Sequence, residues 1–128
     1  MKPFVYTLLS DGSSDRVLLR VIDWLLLQKP QVGMAGLDGQ AADLSSLPSP
    51  PELRDLPGRM RSAAHYYPCD VLFVHRDAEG QSMERRVEEI REAAREAHLA
   101  PIPVVPVRMT EAWLLIDEMA LQIGRAHV

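Results

Sequence analysis

Three shortages in the sequence narrow its setting. There is one cysteine, Cys69, in 128 residues. No internal disulfide can form, so a reducing cytosol suits the chain, and a lone cysteine beside an apolar run is ordinarily a small buried hydrophobe. Basic residues are not in excess: 14 Lys and Arg stand against 18 Asp and Glu, a net charge of −4. This argues against a broad basic surface that wraps nucleic acid, though it leaves room for one cleft where a metal ion meets phosphate. Long apolar runs are also missing. The longest, Val17 to Leu27, is broken by Arg20 and Asp23 and is too short and too charged to span a bilayer. The short apolar start after Lys2 is not followed by a small-residue cleavage pattern, so no signal peptide is expected. The expected setting is cytoplasmic, with no membrane partner.

At 47% hydrophobic and 25% charged, the composition is that of an ordinary globular protein. The length suits one domain that can bury a core without disulfides or structural metals. The tail Gln122 to Val128 resembles the in-frame translation of a sequencing-adaptor oligonucleotide; an ordinary frayed tail is the alternative. On the first reading residues 1–121 are one α/β domain truncated at its C-terminus, 122–128 are not native, and the natural protein runs on past Leu121.

The local pattern alternates between strand and helix. Phe4 to Ser10 reads as a buried strand bounded by Asp11 and Gly12. Ser13 and Ser14 are good helix caps. Val17, Leu18, Val21, Ile22 and Leu25 then recur at helical spacing to about Gln28, where Pro30 stops the run. Gln31 to Leu37 is at best a weak strand, and Asp38 to Pro51 reads as a loop rich in Gly, Ser, Asp and Pro. A helix is predicted over Arg59 to Tyr66, interrupted upstream at Pro57 and Gly58. Asp70 to His75 is a clear strand, apolar throughout Val71 to Val74, as expected where both faces are covered. Ser82 to His98 is the clearest helix, with Met83, Val87, Ile90, Ala94 and Ala97 on one stripe. Glu88–Arg91 and Glu92–Arg95 are spaced as i,i+3 pairs worth ~0.2–0.5 kcal/mol each. Ile102 to Val107 is a third clear strand, and Pro103 and Pro106 suggest an edge position. Thr110 begins a last helix through Ile116. Trp24 and Trp113 sit among apolar neighbours and read as core. The expected fold is α/β and three-layered, a mostly parallel four-stranded sheet with helices on both faces.

In such sheets the site lies at the C-terminal ends of the strands, where the strand order reverses. Acids are concentrated there. Asp11 follows the first strand, Asp77 and Glu79 follow the Asp70 strand, and Glu111 follows the last. In a 2-1-3-4 order the first and third strands are neighbours, so Asp11 would face Asp77 and Glu79 across one crevice. Hard cations such as Mg2+ take carboxylate oxygens, waters and substrate phosphate. The metal ligands expected are therefore Asp77 and Glu79, with Asp11 as a further ligand or as general acid/base and Glu111 assisting. Mn2+ is the alternative ion. His75 is expected to hydrogen-bond within the strand-end cluster rather than to bind the ion. Arg76 and Arg108 each suit either a phosphate or a neighbouring acid. Asp15 reads as a helix-dipole partner. Asp117 lies about 240° round the helix from Glu111 and reads as structural.

These segments resemble a known family. Asp11-Gly12-Ser13-Ser14-Asp15, with Leu18 and Leu19, resembles the opening motif of TOPRIM domains, and His75-Arg76-Asp77-Ala78-Glu79 resembles their second motif. The run Val107-Arg108-Met109-Thr110-Glu111-Ala112-Trp113-Leu114-Leu115-Ile116-Asp117 resembles a later segment of one uncharacterised bacterial TOPRIM-like family. The likeness covers most of residues 4–118 and is weakest over 30–66. It implies a Mg2+-binding fold used by primases, topoisomerases and nucleases. It also implies a nucleic acid substrate, an ABC-type ATPase partner and a place in phage defence. Two departures are plain: TOPRIM domains usually begin with Glu where this chain has Asp11, and Glu79 replaces a second Asp.

Two other functions fit the same layout. A receiver-type phosphoacceptor domain would use Asp77 as the acceptor, with Thr110 after a later strand, but normally has two adjacent acids after its first strand. A non-catalytic module would use the acidic cleft only to dock a partner.

Overall fold

The computed structural model describes residues 2–10, 15–46, 55–77 and 80–105. In chain order these form β1 (Phe4–Leu9), α1 (Asp15–Leu27), α2 (Pro30–Ala35), β2 (Leu37–Ala41), a 3-10 turn at Leu44–Ser46, α3 (Leu56–Tyr66), β3 (Val71–His75), α4 (Met83–Ala97) and β4 (Ile102–Val104).

The described strands make one sheet in the order β2-β1-β3-β4, and every pairing is parallel. Side chains alternate across a strand, so the central strands β1 and β3 feed two cores. On one face Phe4, Tyr6, Leu8, Phe73 and Val104 pack with Leu18, Ile22, Leu25 and Leu26 of α1 and Val32 of α2. On the other, Leu9, Leu72 and Val74 pack with Met60 and Ala63 of α3 and Ile90, Ala93, Ala94 and Ala97 of α4. This is the three-layer α/β fold that the alternating pattern predicts. Burying a side chain of the size of Ile22 or Leu26 contributes about 1.5–3 kcal/mol.

The helix ends explain where sequence reading went astray. Pro30 does stop α1, but it also starts α2: Lys29 is extended and Pro30 stands in the first turn, where its missing N–H costs no helical bond. The weak strand expected over Gln31 to Leu37 is therefore mostly helix. Pro57 works in the same way. It lies in the first turn of α3, which begins at Leu56, and the Asp55 side chain accepts from the Gly58 N–H at 2.8 Å. Pro57 and Gly58 open the helix rather than interrupt it.

The loop expected from Asp38 to Pro51 contains all of β2 but its first residue, Leu37. Its composition is poor for a strand, and the tertiary contact that overrides this is specific. Tyr6 pairs with Gly39 in the β1–β2 register, and a Cβ at Gly39 would overlap the Tyr6 ring and hydroxyl. The ring passes over the glycine to α1, where its hydroxyl donates to Asp23 Oδ1 at 2.5 Å and lies 3.2 Å from the Leu19 carbonyl. Burial, followed by the Asp23 carboxylate, pushes the Tyr6 hydroxyl far above the usual tyrosine range. On the opposite face Thr7 is fully buried. Its hydroxyl donates to the Tyr67 carbonyl at 2.8 Å and accepts from Gln40 Nε2 at 2.9 Å, which ties β2 to β1 and to the end of α3.

Two further expectations need correction. Trp24 is not core: it is 57% exposed on α1, because the buried stripe of that helix runs through Leu18, Ile22, Leu25 and Leu26. On α4 the ion pairs formed are Arg86–Glu89 at 2.9 Å and Arg95–Glu88 at 3.4 Å, not Glu88–Arg91 and Glu92–Arg95. Trp113 lies outside the described residues. So do Pro106 and Val107 of the predicted third strand, whose described part, β4, stands at one edge of the sheet order. Among the described residues no helix is long and apolar enough to cross a membrane. Cys69 is partly buried and packs against the α3–α4 core.

Candidate functional site

The strand order places a switch point between β1 and β3. From β1 the chain goes first to β2 on one side and then to β3 on the other, and the C-terminal ends of two such neighbours are where open parallel sheets form their binding sites. Leu9 pairs with Val74 in the last recorded step of their register. One step further, Ser10 and His75 stand side by side, and their side chains leave the sheet on the α1 face because Leu8 and Phe73 do.

They are joined. Ser10 Oγ lies 2.9 Å from His75 Nδ1. The other ring nitrogen, Nε2, lies 3.2 Å from Asp77 Oδ1. The His75 side chain is 1% exposed and that of Asp77 45%, so a buried imidazole holds a carboxylate that reaches water. The backbone that carries the ring is fixed as well: His75 pairs with Val104 of β4, and the Arg76 N–H donates to the Val104 carbonyl at 3.0 Å. Asp70 fastens the opposite end of the same strand pair, its N–H donating to the Val5 carbonyl at 2.8 Å and its Oδ2 accepting from the Val5 N–H at 2.8 Å.

Beyond Asp77 the chain turns through Gly80, whose φ of +82° is a conformation that side chains disfavour. It then enters α4 through Ser82, which accepts from the Arg85 N–H at 3.1 Å. The first turns of α4 bring Arg86 beside the end of β3. Glu89 takes Arg86 at 2.9 Å and Arg76 at 3.7 Å. Pairing with an acid, one of the two roles expected for Arg76, is formed.

Asp77 is thus described where the sequence places it, just past β3. Asp11, Glu79 and Glu111, and with them Arg108, lie outside the described residues. Among the described residues no group of three His, Cys, Asp or Glu side chains could enclose a metal ion. The expectation that His75 bonds within the strand-end cluster holds. What sequence reading missed is Ser10. The signal was available: two polar residues end adjacent apolar strands on the same side-chain parity, and a 2-1-3-4 order brings them together.

A scan against protein-family models finds no match, and neither does a search of curated proteins.

Proposed function

We propose that this chain is a TOPRIM-like domain that carries out Mg2+-dependent phosphodiester chemistry, as the nuclease component of a bacterial defence system with an ATPase partner. The observation that supports the chemistry most is the half-exposed Asp77 carboxylate, held by a buried imidazole at the switch point between β1 and β3. Binding sites in open parallel sheets form at this position.

The donor chemistry fits a hard cation. Asp77 offers carboxylate oxygen, and both ring nitrogens of His75 are already engaged by Ser10 and Asp77. Oxygen donors without imidazole suit Mg2+ or Mn2+ better than Zn2+. On this reading Asp77 holds the ion with Glu79 and Asp11, its companions in sequence, Asp11 also serves as general acid/base, and Glu111 assists. When bound, such an ion neutralises charge on phosphoryl oxygens and acidifies a water. The protein's own part is to hold Asp77 in place, with the buried His75 ring against its carboxylate. The defence setting and the ATPase partner rest on the resemblance of Asp11–Asp15 and Val107–Asp117 alone.

The test uses the full chain with DNA and RNA substrates in Mg2+ or Mn2+, comparing wild type with Asp77→Ala. The expected result is metal-dependent cleavage by the wild type that the variant loses. Metal binding and cleavage unchanged in Asp77→Ala would overturn the reading.

A further inference from the structure

His75 stands between a hydroxyl and a carboxylate: Ser10 Oγ is 2.9 Å from Nδ1, and Asp77 Oδ1 is 3.2 Å from Nε2. An ionised carboxylate facing Nε2 favours the tautomer with the proton on that nitrogen, and Nδ1 of the neutral ring then accepts from the Ser10 hydroxyl. The ring itself is closed off, with Ser10 on one nitrogen and Asp77 on the other, and is 2% exposed. A strand end that needed only packing would be served by another apolar residue, as it is one pleat earlier at Phe73.

We propose that Ser10 and His75 are positioning residues for Asp77. Ser10 sets the tautomer of the His75 ring, and the ring sets the orientation in which the Asp77 carboxylate meets a divalent cation. This rests on the proposed metal role of Asp77. The arrangement is that of an outer shell around a metal ligand, whose loss typically weakens metal binding about 10–100-fold without touching the ligand itself.

The experiment titrates Mn2+ into the full chain, followed by calorimetry and by the Mn2+ spin-resonance signal, for wild type, Ser10→Ala, Ser10→Thr, His75→Phe and Asp77→Ala. The thermal midpoint without metal is measured for each. A 15N-histidine spectrum reports the ring tautomer. The expected result is a wild-type ring protonated on Nε2, about tenfold weaker Mn2+ binding in Ser10→Ala together with a lower thermal midpoint, since a buried ring nitrogen loses its partner, and recovery of both in Ser10→Thr, which restores the hydroxyl. A merely structural hydroxyl would lower the midpoint and leave the affinity alone. His75→Phe removes a buried polar ring and tests the middle link if it folds; Ser10→Ala decides the matter if it does not. Wild-type affinity in Ser10→Ala, or a ring protonated on Nδ1, overturns the positioning role while a loss in Asp77→Ala leaves the metal reading standing. Wild-type affinity in Asp77→Ala, or no binding by the wild type, overturns the metal reading and this proposal with it.

Discussion

The ring of Tyr6 fills the space that a side chain at Gly39 would need. β2 can lie against β1 only because residue 39 has no Cβ, and the strand in turn keeps the ring pointed at α1. Gly39→Ala is expected to destabilise the fold by about 1–3 kcal/mol, the usual cost of forcing atoms into a packed core. Denaturant unfolding measures this. Tyr6→Leu should absorb part of the cost in the double variant, because a shorter side chain clears position 39, and the two changes should therefore be non-additive.

The same tyrosine carries a hydrogen bond to a carboxylate. Tyr6→Phe removes the donor to Asp23 and should cost about 1.5–3 kcal/mol, the range for bonds to charged groups. The pH dependence has a definite sign. Burial and Asp23 raise the hydroxyl's pKa in the folded state, whereas in the unfolded chain it titrates near 10. The folded protein keeps a proton that the unfolded chain gives up. The contribution is therefore complete below about pH 10 and declines above it, by up to about 1.4 kcal/mol per pH unit for this group. Stability measured from pH 8 to 11 should fall more steeply for wild type than for Tyr6→Phe.

α4 is capped well at one end and at a cost at the other. Ser82 bonds the Arg85 N–H at the start, while His98 ends the helix at φ +58°, in the left-handed region, with its N–H on the Arg95 carbonyl. Ser82→Ala should destabilise by about 1 kcal/mol. His98→Gly should stabilise by up to about 1 kcal/mol, since glycine adopts that conformation without the Cβ clash. Thermal unfolding of the two variants should move in opposite directions.

Glu89 stands between two guanidiniums, Arg86 at 2.9 Å and Arg76 at 3.7 Å, and is about one-third exposed. Glu89→Gln should cost about 0.5–1 kcal/mol at low salt, as for partly solvated pairs. The difference should shrink in 1 M salt, where charges are screened over about 3 Å. Urea melts at the two salt concentrations check it.

The layered fold was legible because β1, β3, α1 and α4 each carry a clear pattern: a continuous apolar run, or apolar residues at helical spacing. β2 was not legible. Leu37-Asp38-Gly39-Gln40-Ala41 has no strand signal of its own, since its glycine answers to Tyr6, which is 33 residues earlier. That Pro30 also opens a helix, and that Pro57 opens rather than interrupts one, was not legible because proline stops a helix and starts one with the same ring, and only the neighbouring caps tell which. In the site, Asp77 stood out as an acid past a buried strand. Ser10 did not, because a serine after a strand is ordinary until the strand order sets it beside His75.

Asp77→Asn separates function from fold most cleanly. The amide keeps the shape of the side chain and an oxygen facing His75 Nε2 while removing the carboxylate, and the side chain it replaces is nearly half exposed. Stability should change by less than about 1 kcal/mol, as at other sites away from the core. On the proposed function, metal-dependent cleavage should fall at least about 100-fold, the loss of close to 3 kcal/mol of transition-state stabilisation. The two quantities come from one preparation: unfolding in denaturant, and the cleavage rate at saturating Mg2+. A receiver domain would respond in another way, because wild-type protein incubated with a small phosphodonor would acquire a label on Asp77. The expected outcome is no label there, so activity and phosphorylation assays on the same two proteins distinguish a carboxylate that holds an ion from one that takes a phosphoryl group.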